Sequence, residues 1–353
     1  MKVIYIGSTV PFSGKGLITL GIGKYFLEKK LKVGYFKPLG TTPYRVETDI
    51  ITDRLAYFIY QSLELKDDLS YISPVLLDYE LMVKAVRGEI GELMSEVKKT
   101  FEVIAPRKDM VIIGGSETVW QGAFLGISGI DIIKALNAQL ILVDKYTGMS
   151  FLDNITEIKK MLKEDFRGII LNCIKEEQRP DITELIVPWL EKKEIPVLGL
   201  IPYDSFLSAV RVSELNEKLG GQLLSGYQGA NNFVQNYLVG GMEVDKFTEY
   251  LRNSLNPGVI VGGDRADIQL IAIEEGVKCL ILTGNLIPNN IILSKADQKN
   301  VPIILVGDDT YTVAQKVQDI AARVSLKEKE KEKRGLALMQ KYLDFKQLEQ
   351  VLL

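Results

Sequence analysis

The chain has 353 residues, of which 46% are hydrophobic and 25% charged, and 43 Lys and Arg against 46 Asp and Glu give a formal charge of −3. This composition suits a soluble protein of two or three domains and excludes a global basic field for nucleic acid or a membrane surface. No His is present, which excludes His-ligated zinc, a His proton shuttle and a Ser-His-Asp hydrolase. The only cysteines, Cys173 and Cys279, offer no disulfide framework, and no apolar run reaches membrane-spanning length, so we expect a cytoplasmic protein.

Short apolar segments alternate with helical stretches through the first two thirds of the chain. This rhythm predicts an α/β fold in which helices cover both faces of a parallel sheet. The ligand crevice of such a sheet lies at the carboxyl ends of its strands. The predicted strands are Lys2–Ile6, Lys32–Phe36, Met110–Ile113, Ala138–Val143, Gly168–Cys173 and Pro196–Ile201.

The first predicted strand runs into a loop of small residues that ends in Ser13, Gly14, Lys15 and Gly16. In such a loop the backbone N–H groups point at phosphate oxygens, and the following helix adds its positive N-terminal end. These four residues are therefore predicted to bind a nucleotide, with Lys15 supplying the charge. The loop is longer than in G-x-x-x-x-G-K-[ST], and Gly16 stands where a hydroxyl would hold Mg²⁺. Ser13 or Thr19 could replace that ligand, although Thr19 could equally bond its own helix backbone.

A second, smaller α/β rhythm begins at Tyr227. We place the domains at 1–225 and 226–324, because Gly and Ser cluster near the boundary, and a helical tail at 325–353. The tail is a charge run followed by an amphipathic segment, so we expect its apolar end to pack on a partner or on its own chain. The predicted strands are Gly258–Val261, Cys279–Leu282 and Pro302–Val306, and the helices lie near Val244–Ser254, Ala266–Glu275, Asn289–Ala296 and Thr312–Ala322.

In this order the segments resemble a dethiobiotin-synthetase-like P-loop domain joined to a DRTGG domain, a pair found at the N-terminus of some phosphotransacetylases and as a stand-alone protein. The resemblance implies a P-loop NTPase-like fold, a smaller α/β DRTGG domain, and ATP, with Mg²⁺ in doubt, as ligands. The acetyl-transferring domain of the long phosphotransacetylases is not found in these 353 residues. The resemblance rests on Gly7–Lys15, Tyr35–Pro38, Gly122–Ser128, Gly168–Asn172, Gly199–Asp204, Gly262–Asp267, Leu282–Pro288 and Asp308–Tyr311.

The resemblance also implies roles for residues at strand ends. Lys37 would lie near the substrate or terminal phosphate and stabilise a transferred phosphoryl group, or it could simply end its strand in solvent. Asp53 matches a magnesium-binding aspartate better than Asp49 does, though it could instead cap a helix. Asn172 would meet the adenine edge or satisfy a local turn. Pro202 would flank the same base.

The third predicted strand departs from the family pattern. Relatives carry an acidic residue at its end, where this chain has Gly114. Glu117 could substitute for it. Magnesium would lack two of its usual protein ligands, the hydroxyl replaced by Gly16 and the carboxylate replaced by Gly114. We therefore expect reduced or absent turnover.

The second domain offers a further candidate site at its strand ends. Asp264 could cap a helix, while Arg265 could hold an anion or a neighbouring carboxylate. Thr283 and Asp309 sit at corresponding strand ends. These four residues form either one polar pocket or merely turns and a subunit interface.

Three functions remain open from the sequence. The first is a nucleotide-binding regulatory or sensor protein whose DRTGG domain mediates dimerisation or communicates with a partner enzyme. The second is an ATP-dependent ligase-like enzyme that phosphorylates a carboxyl or carbamate group, using Lys15, Lys37 and Asp53 with a metal ion. The third is a scaffold that has lost its ligand.

Overall fold

The computed structural model describes residues 1–46, 49–322 and 328–353. The chain forms two compact units, Met1–Tyr203 with Leu326–Leu353, and Asp204–Ser325. The division falls before the boundary expected at residue 225. The reason is that Val212–Leu219 and Gln222–Ser225, which the sequence analysis gave to the first domain, pack into the core and sheet of the second unit.

Unit 1 is built on a parallel sheet of six strands in the order β6-β5-β4-β1-β3-β2. All six predicted strands are present. Their near-continuous Val, Ile and Leu runs are typical of strands buried on both faces. The strands are β1 (Lys2–Gly7), β2 (Val33–Phe36), β3 (Met110–Gly114), β4 (Gln139–Asp144), β5 (Phe166–Ile174) and β6 (Val197–Pro202).

Helices and two short strand pairs, one parallel and one antiparallel, lie in the connections between these strands. The helices are α1 (Lys15–Glu28), α2 (Arg54–Ser62), α3 (Tyr79–Val86), α4 (Leu93–Ile104), α5 (Gly129–Ala135), α6 (Phe151–Leu162) and α7 (Val187–Lys192), the last preceded by the α-turn Arg179–Asp181 and the π-turn Ile182–Ile186. Leu39–Gly40 pairs with Val75–Leu76, and Pro43–Arg45 pairs with Ile51–Asp53. Short 3₁₀ turns lie at Leu69–Tyr71, Ala123–Leu125, Lys163–Asp165 and Glu176–Gln178.

Unit 2 contains a five-stranded sheet in the order β7-β11-β10-β9-β8, in which only β7 is antiparallel. The strands are β7 (Gln222–Ser225), β8 (Asn236–Val239), β9 (Pro257–Gly262), β10 (Cys279–Thr283) and β11 (Ile303–Leu305). The helices are α8 (Val212–Leu219), α9 (Val244–Arg252), α10 (Ala266–Glu274), α11 (Asn290–Lys299) and α12 (Thr310–Ala322). Val210–Arg211 pairs with Phe233–Val234, and Tyr227–Asn231 forms a 3₁₀ turn. The three predicted strands and four predicted helices of this region are confirmed.

The tail folds into α13 (Lys329–Tyr342) and α14 (Phe345–Leu352), and residues 325–327 of the predicted tail lie outside the described residues. Both helices belong to unit 1 and pack on the rest of it, so the tail contacts its own chain. Gly335 lies against Leu17 of α1, and the Phe345 ring stacks on Tyr25 with centroids 4.2 Å apart. Because α1 faces the sheet on one side and the tail on the other, it is apolar around most of its circumference. Within the described ranges, no helix is long and apolar enough to cross a membrane.

Candidate phosphate-binding site

Residues 8–14, here called the phosphate loop, connect the end of β1 to the start of α1. Phe12 and Gly14 take left-handed conformations, with φ of 54° and 88°. Gly14 is the N-cap residue of α1, no side chain of the described ranges caps it, and the first turn carries no acidic residue. The first N–H groups of α1 therefore face the loop with their partial positive charge available to an anion.

The Lys15 ammonium is held inside this loop. Its Nζ donates to Ser8 Oγ at 2.6 Å and to the Glu117 carbonyl oxygen at 2.8 Å. Burial lowers the pKa of Lys15 to about 8, and the positive charge of Lys37 acts in the same direction, while the charges of Asp144 and Glu117 oppose it. Lys15 thus has two neutral acceptors and lies within electrostatic reach of a second lysine.

Asp144 at the end of β4 secures the start of the loop, and sequence reasoning missed it. Its carboxylate accepts from Thr9 N at 2.9 Å, from Thr9 Oγ1 at 2.6 Å and from Val10 N at 3.4 Å. Burial raises the pKa of Asp144 to about 6, although these donors and Lys15 act to lower it. The sequence does contain an indication of this role, because Asp144 directly follows an apolar strand. The predicted strand ended one residue early, at Val143, and Asp144 was left out.

Asn172 on β5 secures the other end of the loop. Its Nδ2 donates to the Ser13 carbonyl oxygen at 2.8 Å. A Cβ atom at Gly14 would overlap the same amide nitrogen. The Asn172 side chain therefore contacts the loop backbone, whereas the resemblance placed it at the adenine edge. Pro202 ends β6, three strands from β1 in the sheet order, and is half-buried.

The hydroxyls proposed as magnesium ligands are both buried. Ser13 is 1% exposed, and its Oγ finds no hydrogen-bond partner in the part of the chain that the structure describes. Thr19 lies one turn after Lys15 on α1 and is also 1% exposed. Ser13 thus adds an unused polar atom to the phosphate loop.

Lys37 and Asp53 form a buried ion pair, with Lys37 Nζ 3.0 Å from Asp53 Oδ1. Burial acts to raise the pKa of Asp53, but Lys37 and the backbone donors outweigh it and hold the pKa below its usual range. Asp53 is the N-cap of α2, the role that the sequence analysis left as an alternative. The backbone N–H donors to its two oxygens, at 2.9–3.0 Å, belong to Thr41, Thr42, Leu55 and Ala56.

These residues do not fit a magnesium site. Mg²⁺ in nucleotide sites is held by one or two carboxylates together with substrate phosphates. Five donors already occupy the Asp53 oxygens, the Asp144 oxygens bind the loop, and Gly114 has no side chain. Glu117 is exposed.

The second candidate site in unit 2 is only partly assembled. Thr283 Oγ1 lies 2.7 Å from Thr310 Oγ1, and the Gly263 N–H donates to the Thr283 carbonyl oxygen at 3.3 Å. Asp309 accepts from backbone N–H groups in the first turn of α12.

Arg265 takes one of its two expected roles, whereas Asp264 does not take the role expected of it. Arg265 pairs with Asp267 at 2.9 Å, so it holds a neighbouring carboxylate. The expected cap by Asp264 is wrong, because Arg265 occupies the N-cap position of α10 and no cap bond from a described side chain is present. Asp264 lies one residue before that position.

A parallel sheet with a glycine-containing phosphate loop between β1 and α1 defines a P-loop NTPase-like domain, here followed by a smaller α/β unit. A model described as an AAA domain matches residues 2–211, and one described as a DRTGG domain matches residues 214–320. The chain belongs to this AAA-domain family and carries a DRTGG domain after it. The resemblance stated from the sequence is thereby confirmed.

Known proteins match the whole chain or a part of it. The chain is 24% identical over 364 residues to phosphate acetyltransferase of Synechocystis sp., covering 98% of this chain and 51% of that protein. It is 25% identical over 225 residues to ATP-dependent dethiobiotin synthetase BioD of Thermodesulfovibrio yellowstonii, covering 60% of this chain and 92% of that protein. A structure of the CBS and DRTGG domains of Clostridium perfringens pyrophosphatase, complexed with diadenosine tetraphosphate, is 22% identical with a TM-score of 0.31, covering 41% of this chain and 74% of that chain. The chain thus spans about half the length of the phosphate acetyltransferase it matches.

Proposed function

We propose that this chain binds ATP at its phosphate loop and acts as a regulatory or sensor protein with weak or no catalysis. The Lys15 ammonium at the uncapped start of α1 carries the proposal. In the structure it bonds neutral oxygens, and a polyphosphate would offer it anionic ones next to the first N–H groups of the helix. The name of the dethiobiotin synthetase relative supports ATP as the nucleotide.

The ion pair between Lys37 and Asp53, the two residues to which the resemblance assigns catalytic roles, supports weak turnover. Phosphoryl transfer depends on cations and metal ions placed around the transferred group. The charge of Lys37 is balanced by Asp53 at 3.0 Å, and the oxygens of Asp53 are already occupied by the start of α2. A bound nucleotide would therefore be held rather than consumed.

A homodimer is part of the same proposal. All eight residues of α3 are at least partly exposed, and Tyr79 and Val86, two turns apart on one face, are 79% and 83% exposed. An apolar helix face of this kind is typical of a surface that meets another molecule. Native mass spectrometry of freshly purified protein measures both the subunit number and any carried nucleotide, and a monomer would contradict the dimer.

The DRTGG domain is proposed to report the bound state to a partner enzyme. The similarity of 98% of this chain to about half of a phosphate acetyltransferase supports an enzyme as the partner. Both cysteines are free, which supports the reducing cytoplasm as the compartment.

Calorimetric titration with ATP tests the central claim. Lys15→Met removes the loop charge and should weaken ATP binding at least about tenfold, because a charge-assisted bond to phosphate is lost. Lys98→Met is the matched control, since Lys98 is an exposed residue of α4 and is not part of the phosphate loop. Equal affinity in the two variants, or no binding by the wild type, would contradict the proposal.

The ligase-like alternative is separated by measuring ADP. The electrostatic coupling of Lys15 with Lys37 favours it, since two cations near one another suit a terminal phosphate. Steady ADP formation that requires a small carboxylic acid or amine, and that Lys37→Met abolishes, would establish the enzyme. Tight ATP binding without ADP formation supports the regulatory role.

A further inference from the structure

The Tyr35 hydroxyl is a buried polar group whose role the contacts of the described residues do not explain. Tyr35 on β2 is fully buried, and its hydroxyl has no hydrogen-bond partner among the residues described. A buried hydroxyl without a partner is unfavourable by about 1–3 kcal/mol. A group of this kind therefore calls for a missing partner.

The hydroxyl lies at the ligand edge of the sheet. A Cβ atom at Gly114, the last residue of β3, would overlap the Tyr35 hydroxyl. The negative charge of Asp53 also reaches it, since burial and then Asp53 raise the pKa of Tyr35 well above its usual value. Tyr35 is thus a neutral hydrogen-bond donor beside the Lys37–Asp53 pair, in the space where a side chain at position 114 would project.

The polar groups around this edge are mostly donors. Lys15 and Lys37 bring two ammonium groups, and Ser13 Oγ is a second buried hydroxyl without a partner in the described ranges. The two buried carboxylates, Asp53 and Asp144, are both engaged by donors of the protein itself. Such a set complements free phosphate oxygens better than phosphates already neutralised by a cation.

We propose that this site takes a nucleoside polyphosphate without a divalent cation, and that the Tyr35 and Ser13 hydroxyls donate to phosphate oxygens that Mg²⁺ would otherwise bind. This inference rests on the proposed function, because it concerns the same phosphate loop. This binding makes and breaks no covalent bond, and only hydrogen bonds to the bound polyphosphate form.

Titration of ATP in excess EDTA and in excess Mg²⁺ tests the inference. We expect the wild-type affinity in EDTA to equal or exceed that in Mg²⁺. Tyr35→Phe keeps the ring beside Gly114 and removes only the hydroxyl, so it should fold normally and bind ATP in EDTA roughly tenfold more weakly. Ser13→Ala should act in the same direction, and Lys98→Met should match the wild type.

The outcomes separate this inference from the proposed function. Binding by the wild type only in Mg²⁺ overturns the metal-free site but leaves nucleotide binding intact. Unchanged affinity in both Tyr35→Phe and Ser13→Ala overturns the role of the hydroxyls, since an unused hydroxyl can be removed without loss. Absence of binding in both buffers removes the proposed function itself.

Discussion

The Asn172 side chain donates a hydrogen bond from its Nδ2 to the Ser13 carbonyl oxygen at 2.8 Å, which ties the end of β5 to the phosphate loop. The next residue, Gly14, has a φ of 88° and no room for a Cβ atom beside the same amide. The amide in this position therefore requires a glycine at position 14. The loop conformation depends on a strand two positions away from β1 in the sheet.

Asn172→Ala should weaken ATP and GTP binding alike. The variant loses one hydrogen bond to the loop, worth about 1 kcal/mol, so we expect about fivefold weaker binding of either nucleotide. Calorimetric titration with both nucleotides measures this. Loss of ATP affinity with GTP affinity unchanged would instead place Asn172 at the adenine edge.

Nucleotide binding should weaken as the pH rises through about 8. The pKa of Lys15 in the free protein is about 8, and binding of a polyanion favours its charged form. Affinity should therefore be constant below that pH and fall by up to about tenfold per pH unit above it, where binding takes up a proton. Titrations in two buffers of different ionisation enthalpy measure the uptake. A flat profile between pH 7 and pH 9, roughly, with no uptake, contradicts this role for Lys15.

Breaking the Lys37–Asp53 pair should destabilise the protein. Lys37→Met leaves the Asp53 charge buried without its cation, which should lower the free energy of unfolding by about 3–5 kcal/mol. Lys37→Met with Asp53→Asn should cost less than the sum of the single changes, because the two groups interact directly. Urea unfolding of the four proteins measures these differences, and additive effects would contradict the pair.

The Lys37–Asp53 pair also predicts that the free energy of unfolding decreases at acidic pH. The pKa of Asp53 is lowered in the folded state, so its contribution is present above the ordinary Asp pKa, roughly 3.9, and is lost as the pH falls through the folded value. Asp53→Asn should flatten this loss. An unfolding free energy that falls equally steeply in the variant would show that other carboxylates dominate.

Removal of packing between the tail and the rest of unit 1 should destabilise this unit. Leu348 of α14 is fully buried, and Leu348→Ala should lower the free energy of unfolding by about 2–5 kcal/mol. Leu353→Ala is the matched control, because Leu353 is 61% exposed. Denaturant unfolding compares the two, and equal stability would show that α14 does not pack in solution as described.

The sheet of unit 1 could be predicted because its strands are uninterrupted apolar runs. The edge strands β7 and β8 were missed, since Gln222–Ser225 and Asn236–Val239 are mixed in polarity and mostly only partly buried. The Gly and Ser residues near 225 were interpreted as a domain boundary. In the structure they form a turn inside unit 2, where Gly226 has a φ of 62°.

The phosphate loop could be predicted because its residues are contiguous. Its supports could not, since Asp144 meets Thr9 across 135 residues and Asn172 meets Ser13 across 159. Such partners depend on strand order, which apolar runs do not reveal. The packing of Tyr35 against Gly114 also depends on strand order. The Tyr35 ring comes from the neighbouring strand and lies next to the strand end where relatives carry an acidic residue.

The covering of α1 by α13 and α14 has a consequence for biosynthesis. Residues 15–28 leave the ribosome well before residues 329–352, so the outer apolar side of α1 stays exposed until α13 and α14 have been synthesised. A nascent chain in which α1 is not yet covered exposes an apolar surface that chaperones can bind. Nucleotide binding should mature only after α13 and α14 have emerged.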